Sequence, residues 1–109
     1  MNQRIAKVES LVQQVVARAV PELYPEAAAQ LTVTRVDVSP DLHNATVWFG
    51  MLGEPAQQEV MLTGLQQRQG EIQERLAGTM ATKYVPRLHF RQDTGGEYAA
   101  NIERILKDL

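Results

Sequence analysis

The stretch from Leu31 to Met51 limits the possible folds more than any other part of this chain. Leu31 to Val38 is rich in β-branched residues (Thr32, Val33, Thr34, Val36, Val38), which predicts a strand. Its apolar alternation changes phase between Val33 and Val36, as an extra residue in a β-bulge would make it do. Ser39-Pro40-Asp41 then has turn chemistry: proline presets φ, and the flanking side chains bond nearby backbone. Ala45, Val47, Phe49 and Met51 alternate with Thr46, Trp48 and Gly50, so a second strand returns. A connection this short joins strands only as an antiparallel hairpin.

The flanking segments read mostly as helices. Ile5, Val8, Leu11, Val12, Val15, Val16 and Ala19 fall at helical spacing and predict a helix over 3–20, stopped by Pro21 and Pro25. A connector follows, with a short helical turn expected at Glu26 to Ala29. Pro55 suits a first helical position, and Val60, Met61 and Leu65 carry that helix to about Gln69. Gly70 marks a kink, after which Ile72, Leu76 and Met80 continue a helix to about Lys83. Pro86 precedes a third strand, Leu88 to Arg91, with Leu88 and Phe90 on one side and His89 and Arg91 on the other. Beyond Gly95-Gly96, residues Tyr98, Ile102, Ile105 and Leu109 predict a terminal amphipathic helix. The order is α-β-β-α-α-β-α, an α+β fold. With 109 residues, one domain over 1–109 is expected.

Composition excludes several classes. There is no cysteine, hence no disulfide and no thiolate metal site. Apolar runs are far too short to span a membrane, and the charged amino-terminal segment does not read as a signal peptide. A cytoplasmic location is the expectation. His43 and His89 lack the spacing of a metal-ligand pair, and Ser39 has no nucleophile context, so neither catalysis, a metal nor a cofactor is expected. Asp41 and Asp93 are expected to bond backbone amides.

Net charge is −2, but it is unevenly spread. Residues 1–20 hold Arg4, Lys7 and Arg18 against Glu9. Residues 21–74 hold Arg35 and Arg68 against eight acids, whereas residues 75–91 hold Arg75, Lys83, Arg87 and Arg91 with none. Phosphate contact depends on local clusters, because salt screens charge beyond roughly 10 Å. The acid-free segment is therefore the candidate surface, with Tyr84 and His89 placed to stack on bases. Gly50-Met51-Leu52-Gly53 spells the G-x-x-G of nucleic-acid-clamping loops but follows a strand, which argues against that role. Trp48, the only tryptophan, is expected to pack in the core.

Two stretches carry a resemblance. Val33-Thr34-Arg35-Val36-Asp37-Val38-Ser39-Pro40-Asp41-Leu42 with Ala45-Thr46-Val47 resembles the first hairpin of the ribosome-binding factor A family. Arg75-Leu76-Ala77, Pro86-Arg87-Leu88-His89-Phe90 and Asp93 resemble its second half, and the likeness spans residues 4–109. It implies a type II KH-like domain, a three-stranded sheet with helices on one face, in which an Ala-x-Gly kink replaces the G-x-x-G loop. Gly70 matches the kink glycine; Arg68 stands where alanine is usual and adds a cation. Lys83 stands where the family commonly has a basic residue. The resemblance further implies a monomeric, non-catalytic assembly factor. Such a factor binds the immature 30S subunit and 16S rRNA, with ribosomal proteins as further candidate partners, and promotes late maturation including 5′-end processing. Charge distribution and resemblance together make Arg4, Lys7, Arg68, Gly70, Arg75, Lys83, Arg87 and Arg91 the expected RNA contacts. The competing expectations are a KH-like module for another RNA and a small α/β protein-interaction domain using the acidic surface and Trp48.

Overall fold

A computed structural model describes residues 3–81 and 84–95; Lys83 and the terminal helix expected over 97–109 lie outside that range. The described elements run α1 (Gln3–Leu23), a 3-10 turn (Ala28–Gln30), β1 (Leu31–Val38), β2 (Asn44–Met51), α2 (Pro55–Gln67), α3 (Gln69–Thr79) and β3 (Arg87–Gln92). The strands form one sheet in the order β1-β2-β3, with β1 antiparallel and β3 parallel to β2.

The hairpin forms as its alternation requires. Val33 pairs with Phe49 and Arg35 with Trp48, leaving Thr34 as the extra residue of the bulge. The turn closes through a bond from the Leu42 N–H to the Ser39 carbonyl, 2.9 Å. Leu42 adopts φ 64°, a left-handed conformation that strains a branched side chain, and this strain is offset where its side chain packs against the core. Asp41 accepts from the Ser39 hydroxyl at 2.6 Å and from the His43 N–H at 3.0 Å, and these two bonds hold its carboxyl below the ordinary value of about 3.8. Because the folded state favours the charged form, this turn's stabilisation is present above that value and lost as pH falls below it. An acid titration followed by NMR should show the His43 amide moving with a midpoint under 3.8, and Ser39→Ala should raise that midpoint.

Among the described residues, three α-helices cover one face of the sheet: α1 packs on β1 and α3, while α2 and α3 lie against β3. Alternation delivers Val36, Val38, Ala45, Val47, Phe49, Met51, Leu88 and Phe90 to that side. They meet Val12, Val16, Ala19 and Val20 from α1, Met61 and Leu65 from α2, and Ile72 and Leu76 from α3. Phe49 and Phe90 touch edge to face at 5.7 Å, linking β2 to β3 across the centre.

Four expectations need correction. The first helix does not stop at Pro21; it runs to Leu23 with Pro21 inside its last turn. A proline there removes a single N–H, and burial of Val20 and Tyr24 holds the turn, closed by the Tyr24 N–H on the Val20 carbonyl. The helix expected to reach Lys83 ends at Thr79, with Met80 already extended; Gly78 and Thr79 are weak helix formers. Val60 points outward, 66% exposed, and Met61, Gly64 and Leu65 make the buried face of α2 instead. Trp48 is not under any of the described helices: with Val47 and Phe49 facing inward, it stands half-buried on the face turned away from them.

Among the described residues, the outer edge of β3 is closed by glutamines rather than by another strand. Gln73 accepts the Leu88 N–H at 2.8 Å and donates to the Pro86 carbonyl at 2.8 Å; Gln69 donates to the Leu88 carbonyl at 3.2 Å and to Gln73 Oε1 at 3.0 Å. Gln73→Ala strands two backbone groups and should destabilise by about 1 kcal/mol. The Leu88 amide should then exchange with solvent measurably faster than its neighbours on the β2 side.

Candidate nucleic-acid interface

Arg4 and Lys7 lie exposed on the first turns of α1. With Val8 they form one wall of a cleft of about 600 Å³, whose other walls are the hairpin turn Pro40–His43 and Met80, Tyr84 and Pro86. Tyr84 is 61% exposed, and its ring stands 5.9 Å from that of His43, tilted by 54°. The cleft thus combines an apolar floor, two rings and two cations, which suits a nucleotide's base and phosphate together.

Arg87 begins where that cleft ends, its N–H bonded to the His43 carbonyl at 2.8 Å. Along β3, Arg87, His89 and Arg91 face away from the helices at steps of roughly 6.6 Å. Among the described residues neither Arg87 nor Arg91 has an acidic partner. Both also border a second cleft of about 390 Å³ between β3 and the α2–α3 junction, lined by Gln66 and Gln69. Arg4, Lys7, Arg87 and Arg91 therefore follow one continuous end and edge of the molecule.

The other expected residues are placed differently. Arg75 pairs with Glu22 near the C-terminal end of α1. Fifteen helical steps separate Glu22 from Lys7, about 22 Å. Arg68 closes α2 and opens α3, and its guanidinium turns inward. It lies 3.9 Å above the Tyr24 ring, donates to the Leu23 carbonyl at 2.8 Å and to the Gly64 carbonyl at 2.9 Å, and is 3.8 Å from Glu26. Those contacts satisfy two helix-end carbonyls, so Arg68 acts as a clamp between α1 and the kink. Gly70 is exposed in the first turn of α3, and a Cβ there would meet nothing within 4 Å. The break between α2 and α3 is thus centred on Arg68. Gly50 belongs to β2 and Gly53, at φ 117°, precedes the Glu54 cap of α2, so the G-x-x-G lies away from that break. Asp93 accepts from the Thr34 hydroxyl at 2.8 Å.

Two surface groups were not singled out in the sequence as RNA contacts. His43 becomes relevant only because the hairpin turn folds beside Tyr84. Arg35 sits in the acidic middle of the chain, yet register sets it beside Trp48 on the open face. Pairing the two strands across the Ser39-Pro40-Asp41 turn is the signal that finds it.

Residues 4–106 match the family model of ribosome-binding factor A. The chain belongs to the ribosome-binding factor A family. A ribosome-binding factor A from Rhodopirellula baltica is 36% identical over 106 residues, covering 96% of this chain and 77% of that one. One from Geotalea uraniireducens is 33% identical over 103 residues, covering 86% and 84%. The crystal structure of ribosome-binding factor A from Thermus thermophilus superposes with a TM-score of 0.70 at 24% identity, over 81% of this chain and 94% of that one. Coordinates of a Thermus thermophilus homology model, fitted into a cryo-electron microscopy map of a 30S–ribosome-binding factor A complex, give a TM-score of 0.67 at 23% identity, over 80% and 92%. The fold of this family member is KH-like, with the helix break at Arg68 in place of a glycine loop.

Proposed function

We propose that this chain is a non-catalytic assembly factor that binds the immature 30S subunit through 16S rRNA and promotes its late maturation, including processing of the 5′ end. Membership of the ribosome-binding factor A family supports the subunit as partner. The observation that supports RNA as the contacted component is the run of cations and rings from Arg4, Lys7, His43 and Tyr84 to Arg87 and Arg91. Lys83 adjoins Tyr84 in sequence and adds to that charge. Arg75, Arg68 and Gly70 contribute at the α2–α3 side, where their RNA role is secondary to the contacts already described.

Such a factor works by binding energy alone. It stabilises one conformer of a folding rRNA junction, and only by the difference between its affinities for the two forms. The chain acts as a monomer in the cytoplasm, where subunits are assembled. Sedimentation of cell lysate tests the reading: the protein should travel with precursor 30S particles and little with mature 70S ribosomes, and should dissociate steeply with rising salt. Equal association with both particles, or none at low salt, sinks it.

A further inference from the structure

The face of the sheet turned away from the helices has a chemistry that the cleft and the β3 cations do not exhaust. Register aligns Arg35, Trp48 and Arg91 across the three strands in one row, Asp37, Thr46 and His89 in the next, and Asn44 and Arg87 in a third. Within the first row the Arg35 guanidinium lies 4.9 Å from the centroid of the Trp48 ring. Asp37 holds both in place, 3.1 Å from Arg35 Nε and accepting from Trp48 Nε1 at 3.1 Å. His89 is fixed in turn by Asn44, 2.9 Å from its Nε2. Flat π-surfaces on this face are thus pre-oriented, which lowers the entropy that a ligand must overcome to stack on them.

We propose that this sheet face is a reader of unpaired RNA: a base extends the Arg35–Trp48 stack while Arg91 and Arg87 hold the flanking phosphates. The proposal rests on the RNA-binding reading above and adds which part of the RNA this face takes. Three arginines here meet two carboxylates, Asp37 and Asp93, and both carboxylates have bonded partners on the face. Arg87 and Arg91, without acidic partners among the described residues, supply the surplus positive charge. A base can extend the Arg35–Trp48 stack only when its own face is free, which an unpaired strand offers and a duplex interior does not. An amphipathic helix or an apolar protein patch finds little here, since one half-buried indole stands among arginine, aspartate, threonine, asparagine and histidine.

Trp48 is the only tryptophan, so its fluorescence reports on this face alone. Titrating the full chain at low salt with ten-nucleotide oligouridylate or oligoadenylate should quench that emission saturably. A duplex RNA of equal length should quench it far less. Arg91→Glu should raise the midpoint about 10-fold. Trp48→Ala, followed by anisotropy of labelled oligoadenylate, should weaken binding by about 10-fold. Arg35→Ala, which leaves the indole in place, should weaken it less, and it keeps the test informative if the first variant folds poorly. No quenching by single strands, equal quenching by duplex, or a response only to added ribosomal protein overturns the proposal. If the wild-type chain still travels with precursor 30S particles, only this face proposal falls; if it does not, the RNA-binding reading falls too.

Discussion

Gly64→Ala should lower stability by about 3 kcal/mol, although the same change in an unobstructed helix raises it by up to about 1 kcal/mol. Gly64 lies buried in α2, and a Cβ there would stand 2.6 Å from Cε2 of Tyr24 and closer still to its hydroxyl. Tyr24 is held in place. It is 7% exposed, continues the last turn of α1, and lies beneath the Arg68 guanidinium. Relief therefore means pushing the ring out from beneath Arg68, toward the cleft it shares with Val60 and Thr63, or separating α1 from α2; either disturbs the Arg68 bonds to the Leu23 and Gly64 carbonyls. For a domain of this size, 3 kcal/mol corresponds to a fall in Tm of roughly 12–24 °C. Gly78→Ala is the control: nothing lies within 4 Å of that Cβ, so it should raise Tm slightly. Thermal melts of the two variants should move in opposite directions. A Gly64→Ala protein melting with the wild type would mean that the tyrosine clamp is loose.

Arg87→Glu combined with Arg91→Glu should weaken binding to precursor 30S particles about 100-fold at low salt, roughly 10-fold for each residue. Both side chains are exposed, so the fold should be unaffected and Tm nearly unchanged. Each removed phosphate contact should also reduce the slope of log affinity against log salt by about one, and this separates lost contacts from general damage. Arg75→Glu makes the informative comparison. Its guanidinium is already neutralised by Glu22, so reversal there should reduce affinity by less than either β3 change alone. Equal losses from Arg75→Glu and Arg91→Glu in binding assays would place the RNA along α3 instead.

What was legible in the sequence followed from distance along the chain. The hairpin was readable down to the bulge at Thr34, because alternation and turn chemistry act over a few residues. The helical segments were readable from periodicity, but their ends were not. Pro21 was tolerated because of what Val20 and Tyr24 bury, and α3 stopped four residues short of the expected Lys83. The seven cations could be listed but not sorted. Arg68 bonds a carbonyl 45 positions away and Arg75 a carboxylate 53 positions away, and nothing local announces either partner. A charge count over 75–91 therefore merged cations at opposite ends of α1 into a single segment. Trp48 was misplaced for a related reason: large aromatic side chains favour burial on average, but the strand's own period turned this one outward.

The glutamine closure of β3 bears on how this protein behaves in a crowded cell. A three-stranded sheet has two open margins, and each is a template onto which a second chain could add a strand. Here Gln69 and Gln73 occupy the hydrogen-bonding groups of Leu88, and Glu9 takes the Val38 N–H at 3.0 Å on the opposite margin, where the Thr34 bulge also breaks the ladder. Neither side offers an uninterrupted strand to copy. Both margins are thus guarded against strand addition by a second copy of the chain.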